Sequence, residues 1–366
     1  MASFTNNSLK TTISIITLLS LLNFRHAAAV KGGYWFPGTS ITSSNIDSTL
    51  FTHLFCAFAD LNTQTNQITL PSECASFPKT VKQKNPSVKT LLSIGGGSAK
   101  SSDFNTMASQ PSSRKTFIDS TITQALANGY DGLDLDWEQQ SEIDEMNNLG
   151  TLLNEWRSAI KARSPSLLLT AALHYSPDAN SVAKFPAQSI TLNLDFVNVM
   201  AYDFYAPAWS PQPIVTRPHA NLRDPTNSQV SGSNGISKWI SAGVPANKLV
   251  LGFPYYGYAW KLSNANNNGI LAPSTGGDTS IGGGTPSYQQ IRSFISQKGA
   301  IVKYDANYVT NYCYFGTTWI AYDDLQTISA KVMYAKNSGL LGYFTWNVVQ
   351  DNNWALSKQA SQTWGA

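Results

Sequence analysis

A closed (β/α)8 (TIM) barrel of the α/β class, carrying a small α+β insertion, is the fold this sequence predicts, and three observations predict it. Short β-rich runs recur eight times along the 366 residues. Helix-like stretches separate them, which calls for parallel strands and right-handed crossovers. The gap between the seventh and eighth runs is too long for a single helix.

The eight runs are GGYWFPG from Gly32, THLFCAFAD from Thr52, VKTLLSIGGG from Val88, YDGLDLDWE from Tyr130, LLLTAALHY from Leu167, LDFVNVMAYDFY from Leu194, KLVLGFPYYGYAW from Lys248 and GLLGYFTWN from Gly339. Between them, SRKTFIDSTITQALANG and EIDEMNNLGTLLNEWRSAIKAR place apolar residues at helical spacing. Eight such units favour a closed barrel over an open sheet, with functional residues at the C-terminal ends of the strands. The long gap, from about Lys261 to Asp323, holds two β-like runs (AIVKYDANYV and YCYFGTTWIAY) and a helix (SYQQIRSFISQKG). It reads as an α+β lobe forming one wall of a groove.

Residues 1–29 stand apart as a secretory signal: Lys10, an apolar run from Thr11 to Phe24, then Ala27, Ala28 and Ala29 for cleavage. The working domain is therefore expected to span 30–366. Losing Lys10 and Arg25 with no acid lowers the formal charge from +3 to +1, which excludes an electrostatic footprint for nucleic acid. No later run is long and apolar enough for a bilayer, so no membrane contact is expected of the mature form. Ten Trp, 16 Tyr and 16 Phe against 13% charged residues indicate a large core with aromatic surface to spare. Three cysteines allow at most one internal bridge; Cys56, inside HLFCAFA, reads as the buried spare, leaving Cys74 with Cys313 as the expected pair. His53, His174 and His219 lack metal-ligand spacing, and neither a metal nor a cofactor is implied.

Within GYDGLDLDWEQQ, strand alternation puts Asp134, Asp136 and Glu138 on one face and Leu133, Leu135 and Trp137 on the other. On a barrel strand the acidic face points inward. No Lys or Arg lies between Lys115 and Arg157 to form a simple salt-bridge cluster, so burial and mutual repulsion should keep at least one proton bound near neutral pH. Glu138, last in the run, is placed as a general acid. The glycine run SIGGGSAK lacks the G-K-[ST] ending of a phosphate loop and reads as packing beside the acids.

DGLDLDWE matches the DGxDxDWE signature of family 18 glycoside hydrolases, and residues 30–366 resemble the plant class V chitinases throughout. SIGG at Ser93, MAYD at Met200 and Trp346 in GYFTWN are similar to the family's motifs on the third, sixth and eighth strands. The resemblance implies endo-hydrolysis of β-1,4 bonds in chitin or N-acetylglucosamine oligosaccharides, with the substrate's own acetamide as nucleophile. Glu138 would be acid and then base, Asp136 would steer the acetamide and share a proton with Asp134, and Tyr202 would hold the carbonyl oxygen. Trp346, Met200, Asp203, Phe58, Trp35 and Trp209 would bind sugars, with Tyr34 and Trp260 as further candidates. The enzyme would act as a secreted monomer, in the apoplast first and the vacuole second, in defence or symbiont signalling. The family usually follows the acid with an aromatic residue and a proline; Gln139 and Gln140 stand there instead. Two other readings stay open: a chitinase-like lectin that binds without cutting, and a hydrolase of lipo-chitooligosaccharide signals.

Overall fold

The computed structural model describes residues 29–39 and 41–365, so all but the last residue of the segment 1–29, expected to be a secretory signal, lies outside the described residues. Eight parallel strands close on themselves: β1 (Val30–Trp35), β2 (His53–Asn62), β3 (Lys89–Gly95), β4 (Gly132–Asp136), β5 (Leu168–His174), β6 (Phe196–Met200), β7 (Leu249–Pro254) and β8 (Gly342–Trp346). Each pairs with the next, and β1 pairs with both β2 and β8. Each of the eight runs of the sequence contributes one barrel strand.

The period of two along each strand sorts the core into two layers. Inward residues such as Tyr34, Phe55, Leu91, Phe196, Val250 and Phe344 fill the barrel. Outward residues such as Leu54, Leu92, Leu133, Leu135 and Val197 meet the helical shell in a much larger cluster. The longest helix among the described residues, Ile143–Arg163, starts with a capping box between Glu142 and Glu145 and buries Leu149, Leu153, Trp156 and Ile160 against the barrel. Their spacing is one face of a helix.

Alternation also overturns two expectations. On β1 it turns Tyr34 inward and therefore Trp35 outward, where Trp35 stacks on Phe77 at 5.3 Å and donates its indole N–H to the Ile41 carbonyl. Trp35 is a packing residue of the shell and does not reach the groove. On β2, Cys56 faces outward into the helical layer beside Leu54 and meets Cys74 in the helix Ser72–Val81, so the disulfide is Cys56–Cys74 and Cys313 is the buried free thiol. Only 18 residues separate the bonded pair, whereas Cys313 sits across the molecule in the insertion.

KLVLGFPYYGYAW contains two strands in different sheets. After Pro254 the chain leaves the barrel, and Tyr258–Leu262 pairs antiparallel with Thr318–Tyr322. The inserted sheet orders its strands as Ser274–Gly277, Tyr258–Leu262, Thr318–Tyr322, Thr310–Phe315 and Ile301–Asp305. The helix Tyr288–Lys298 runs from a Ser287/Gln290 capping box to a left-handed Gly299. Trp260 lies wholly inside this sheet's own core with Trp319, so it offers no sugar platform. No helix among the described residues is long and apolar enough to cross a membrane.

Candidate active site

The acids of β4 occupy three environments along one inner face. Asp134, at the barrel's centre, is fully buried. Its Oδ2 accepts from the Tyr34 hydroxyl and from Ser93 Oγ, both at 2.8 Å, and its Oδ1 accepts from Thr170 Oγ1 at 2.6 Å. Asn198 Nδ2 donates in turn to the Tyr34 oxygen at 2.8 Å. Four other strands thus contribute to one carboxylate. Burial raises its proton affinity, and the three hydroxyls pull it back.

One step nearer the mouth, Asp136 is buried with Oδ1 lacking any hydrogen-bond partner. Burial first, then the charges of Glu138 and Asp134, push its proton affinity well up. Glu138 lies just past the strand end, and burial followed by the charge of Asp203 raises it from an ordinary 4.5 to about 7. None of the ion pairs among the described residues reaches Asp134, Asp136 or Glu138. Asp131, the fourth acid of the run, instead lies at the foot of the strand, paired with Lys82 at 2.7 Å and bonded to the Thr90 amide.

The SIGGG turn is shaped by these acids. Gly95 has φ +108°, and a Cβ there would stand 2.3 Å from the Asp136 carbonyl oxygen. A Cβ on Gly97 would press on Glu138 Oε1 at 3.2 Å. The turn therefore needs glycine for close approach of backbone to the acid strand, and Ser93 is a direct partner of Asp134.

Around the acids opens a groove of about 880 Å³. Asp136, Glu138, Tyr202, Met200, Asp203, Trp346, Phe58, Tyr34 and Trp209 all line it; Asp134 lies beneath its floor. Trp346 stacks on Phe58 at 5.4 Å and meets the edge of Tyr34 at 5.7 Å, making an aromatic floor beside the acids. Trp209, 55% exposed, stands on the rim with its edge toward Tyr258. Tyr202 is partly buried; burial, then Asp136, Asp203 and Glu138, keep its hydroxyl protonated. Phe36, Tyr175 and Tyr205, loop residues with no period to mark them, also line the groove, as does His174 at the end of β5, where the run LLLTAALHY shows no polar alternation. Gln140 is buried with its amide nitrogen unpaired, while Gln139 is exposed, at φ +63°, and donates to the Gly97 carbonyl at 3.3 Å.

An acid of raised proton affinity, a protonated tyrosine and a stacked aromatic floor suit protonation of a leaving oxygen on a ring whose CH face rests on indole. Among the described residues no group of three or more His, Cys, Asp or Glu is arranged to hold a metal ion.

The family model of glycosyl hydrolases family 18 matches residues 31–351. A class V chitinase of Arabidopsis thaliana is 53% identical over 97% of this chain and 94% of its own length. The crystal structure of a class V chitinase from Nicotiana tobaccum, in complex with NAG4, superposes with a TM-score of 0.89 at 53% identity, covering 92% of this chain and 99% of that one. A chitinase-like agglutinin from Robinia pseudoacacia superposes with a TM-score of 0.85 at 47% identity, over 92% of this chain and all of that one.

Proposed function

The chain belongs to the glycosyl hydrolases of family 18, and we propose that within it the protein works as a secreted endo-chitinase, cleaving β-1,4 bonds between N-acetylglucosamine units with retention. The observation that carries this reading is Glu138: a carboxyl held near neutral proton affinity at the mouth of the barrel, beside an unpartnered Asp136 and opposite Trp346. The NAG4 complex of the tobacco neighbour supports the substrate class.

In the proposed reaction a sugar settles over Trp346, and Glu138 gives its proton to the glycosidic oxygen as the C1–O bond breaks. The acetamide carbonyl oxygen of the same sugar attacks C1, closing an oxazolinium ring. Tyr202 donates its hydroxyl to that carbonyl oxygen, and Asp136 accepts the acetamide N–H, which turns the nucleophile toward C1. Water then attacks C1 as Glu138 takes a proton from it. The ring opens with its original anomeric configuration. The signal-like segment at 1–29 supports export, with the apoplast as the place of action.

Glu138→Gln keeps the shape and removes the acidic proton. It is expected to lower turnover of a chitin hexamer by roughly 10³-fold while binding of the hexamer persists. Unchanged turnover, or products of inverted anomeric form, overturns the assignment. A wild-type protein that binds the hexamer without cleaving it would place the chain with the agglutinin.

A further inference from the structure

Behind the groove wall, the segment after β6 returns to place His219 against Asp203. His219 is 1% exposed, and its carbonyl accepts from the Phe204 amide at 2.9 Å, tying it to the residue next to Asp203. Its Nε2 lies 3.2 Å from the Tyr256 carbonyl oxygen and its Nδ1 lies 3.4 Å from Asp203 Oδ1. Both neighbours are acceptors. A neutral imidazole has a single N–H to offer the two acceptors, and Nδ1 makes no hydrogen bond of its own. The Tyr256 hydroxyl donates to the same Asp203 oxygen at 2.6 Å. Asp203 itself is a non-glycine residue at φ +59°, a strained conformation that needs outside support.

The other titratable groups around His219 are few. Tyr258 meets its ring edge-on at 4.9 Å, and Tyr256 lies at 5.1 Å. Asp323, buried and paired with Lys331, is close enough to be held charged partly by His219. The groups that feel the charge of Asp203 are Glu138 and Tyr202 in the groove, with Tyr256 and Tyr258, whose hydroxyls also hydrogen-bond to it.

We propose that His219 is a positioning residue for the reaction proposed above: with Tyr256 it fixes the Asp203 carboxylate in the groove wall and offsets its charge, and through Asp203 it governs how firmly Glu138 keeps its proton. The role rests on Glu138 being the acid. The direction follows from signs. The negative charge of Asp203 raises the proton affinity of Glu138, and an imidazole set 3.4 Å from Asp203 Oδ1 on its far side, positive whenever it is protonated, weakens that field. Taking the imidazole away strengthens it.

Glu138 is one of five glutamates in the chain, so a ¹³C label on glutamate carboxyls, with Glu138→Gln to identify the resonance, follows its titration without any turnover. In His219→Gln the Glu138 midpoint is expected to rise by about half to one pH unit, and in Asp203→Asn to fall by a similar amount. His219→Gln added to Asp203→Asn should move it no further. The basic limb of kcat/KM on the hexamer should follow each midpoint. A midpoint unmoved by His219→Gln in a cooperatively folded protein overturns the proposal, as does a shift of full size in the Asp203→Asn background. Should His219→Gln not fold, Tyr256→Phe removes one donor from Asp203 and is expected to raise the midpoint by a smaller step; no rise there also overturns it. A moved midpoint in a protein that cleaves no hexamer leaves the His219 linkage standing and removes the proposed function. An unmoved midpoint in an active enzyme does the reverse.

Discussion

Two of the groups of buried acids among the described residues meet burial in different ways, and only one of the two has a cation. Asp323, at the end of the inserted sheet, meets Lys331 from the helix Leu325–Asn337, with both side chains almost wholly enclosed. Asp134, Asp136 and Glu138 share the barrel's inner face with no lysine or arginine; Asp134 makes do with three hydroxyl donors and Asp136 Oδ1 with none. Burial acts on both sets alike, pushing Asp323 and the three barrel acids up and Lys331 down. The difference lies in how charge is met. A paired acid serves architecture, since each partner is needed to keep the other buried. An unpaired row of acids is stable only while it holds protons, which is the property proton transfer requires.

Removing a charge should therefore have opposite effects in the two places. Lys331→Met leaves Asp323 buried without its cation and is expected to cost about 3–5 kcal/mol, the largest effect argued for here. Chemical denaturation of the single variant and of Lys331→Met/Asp323→Leu checks it. The double variant, with both charges gone, should recover most of the loss. If the single variant is as stable as wild type, the contrast between the two sets fails.

Glu138→Gln should act the other way. A carboxyl raised from 4.5 to about 7 binds its proton more tightly in the folded than in the unfolded state, so its stabilising contribution is complete below about pH 4.5 and is lost as pH climbs through 7. Above that, the wild type carries a buried charge that glutamine lacks. At about 1.4 kcal/mol per pKa unit, Glu138→Gln should gain up to about 3 kcal/mol at pH 8. The gain should vanish below pH 4.5, where denaturation midpoints of the two proteins should coincide. A pH-independent difference would show that shape, not charge, sets it.

The acidic set was legible in sequence because a strand's period of two assigns faces outright, and three carboxylates at every second position have no other straightforward reading. The eight strands were legible for a different reason, as short β-rich runs recurring between helix-like stretches. What the period could not settle was which face of β1 is inward, since GGYWFP offers no polar alternation; hence Trp35 was placed in the groove and lies in the shell. Cysteine pairing depends on which helix docks over β2, a tertiary fact, and so Cys74 was matched with the wrong partner. The run KLVLGFPYYGYAW hides a change of sheet because both halves are apolar. His219 and Tyr256 reach Asp203 from 16 and 53 residues away, across loops with no pattern linking them.

The smallest effect belongs to the departure immediately after the acid. Gln139 adopts φ +63°, where a side chain costs about 1 kcal/mol relative to glycine, and it is exposed, so its hydrogen bond to the Gly97 carbonyl at 3.3 Å returns little. Gln139→Gly should therefore stabilise the fold by about 0.5–1 kcal/mol, and Gln139→Ala, which keeps the strain and loses the bond, should be neutral or slightly destabilising. Neither changes a charge, so neither should move the Glu138 titration. Both, however, release Gly97, which abuts the Glu138 carboxyl, and a few-fold fall in hexamer turnover common to the two variants would place the effect in the orientation of the acid. If Gln139→Ala alone lost turnover, backbone strain at the mouth would be the cause instead, and the barrel set would depend on more than its protons.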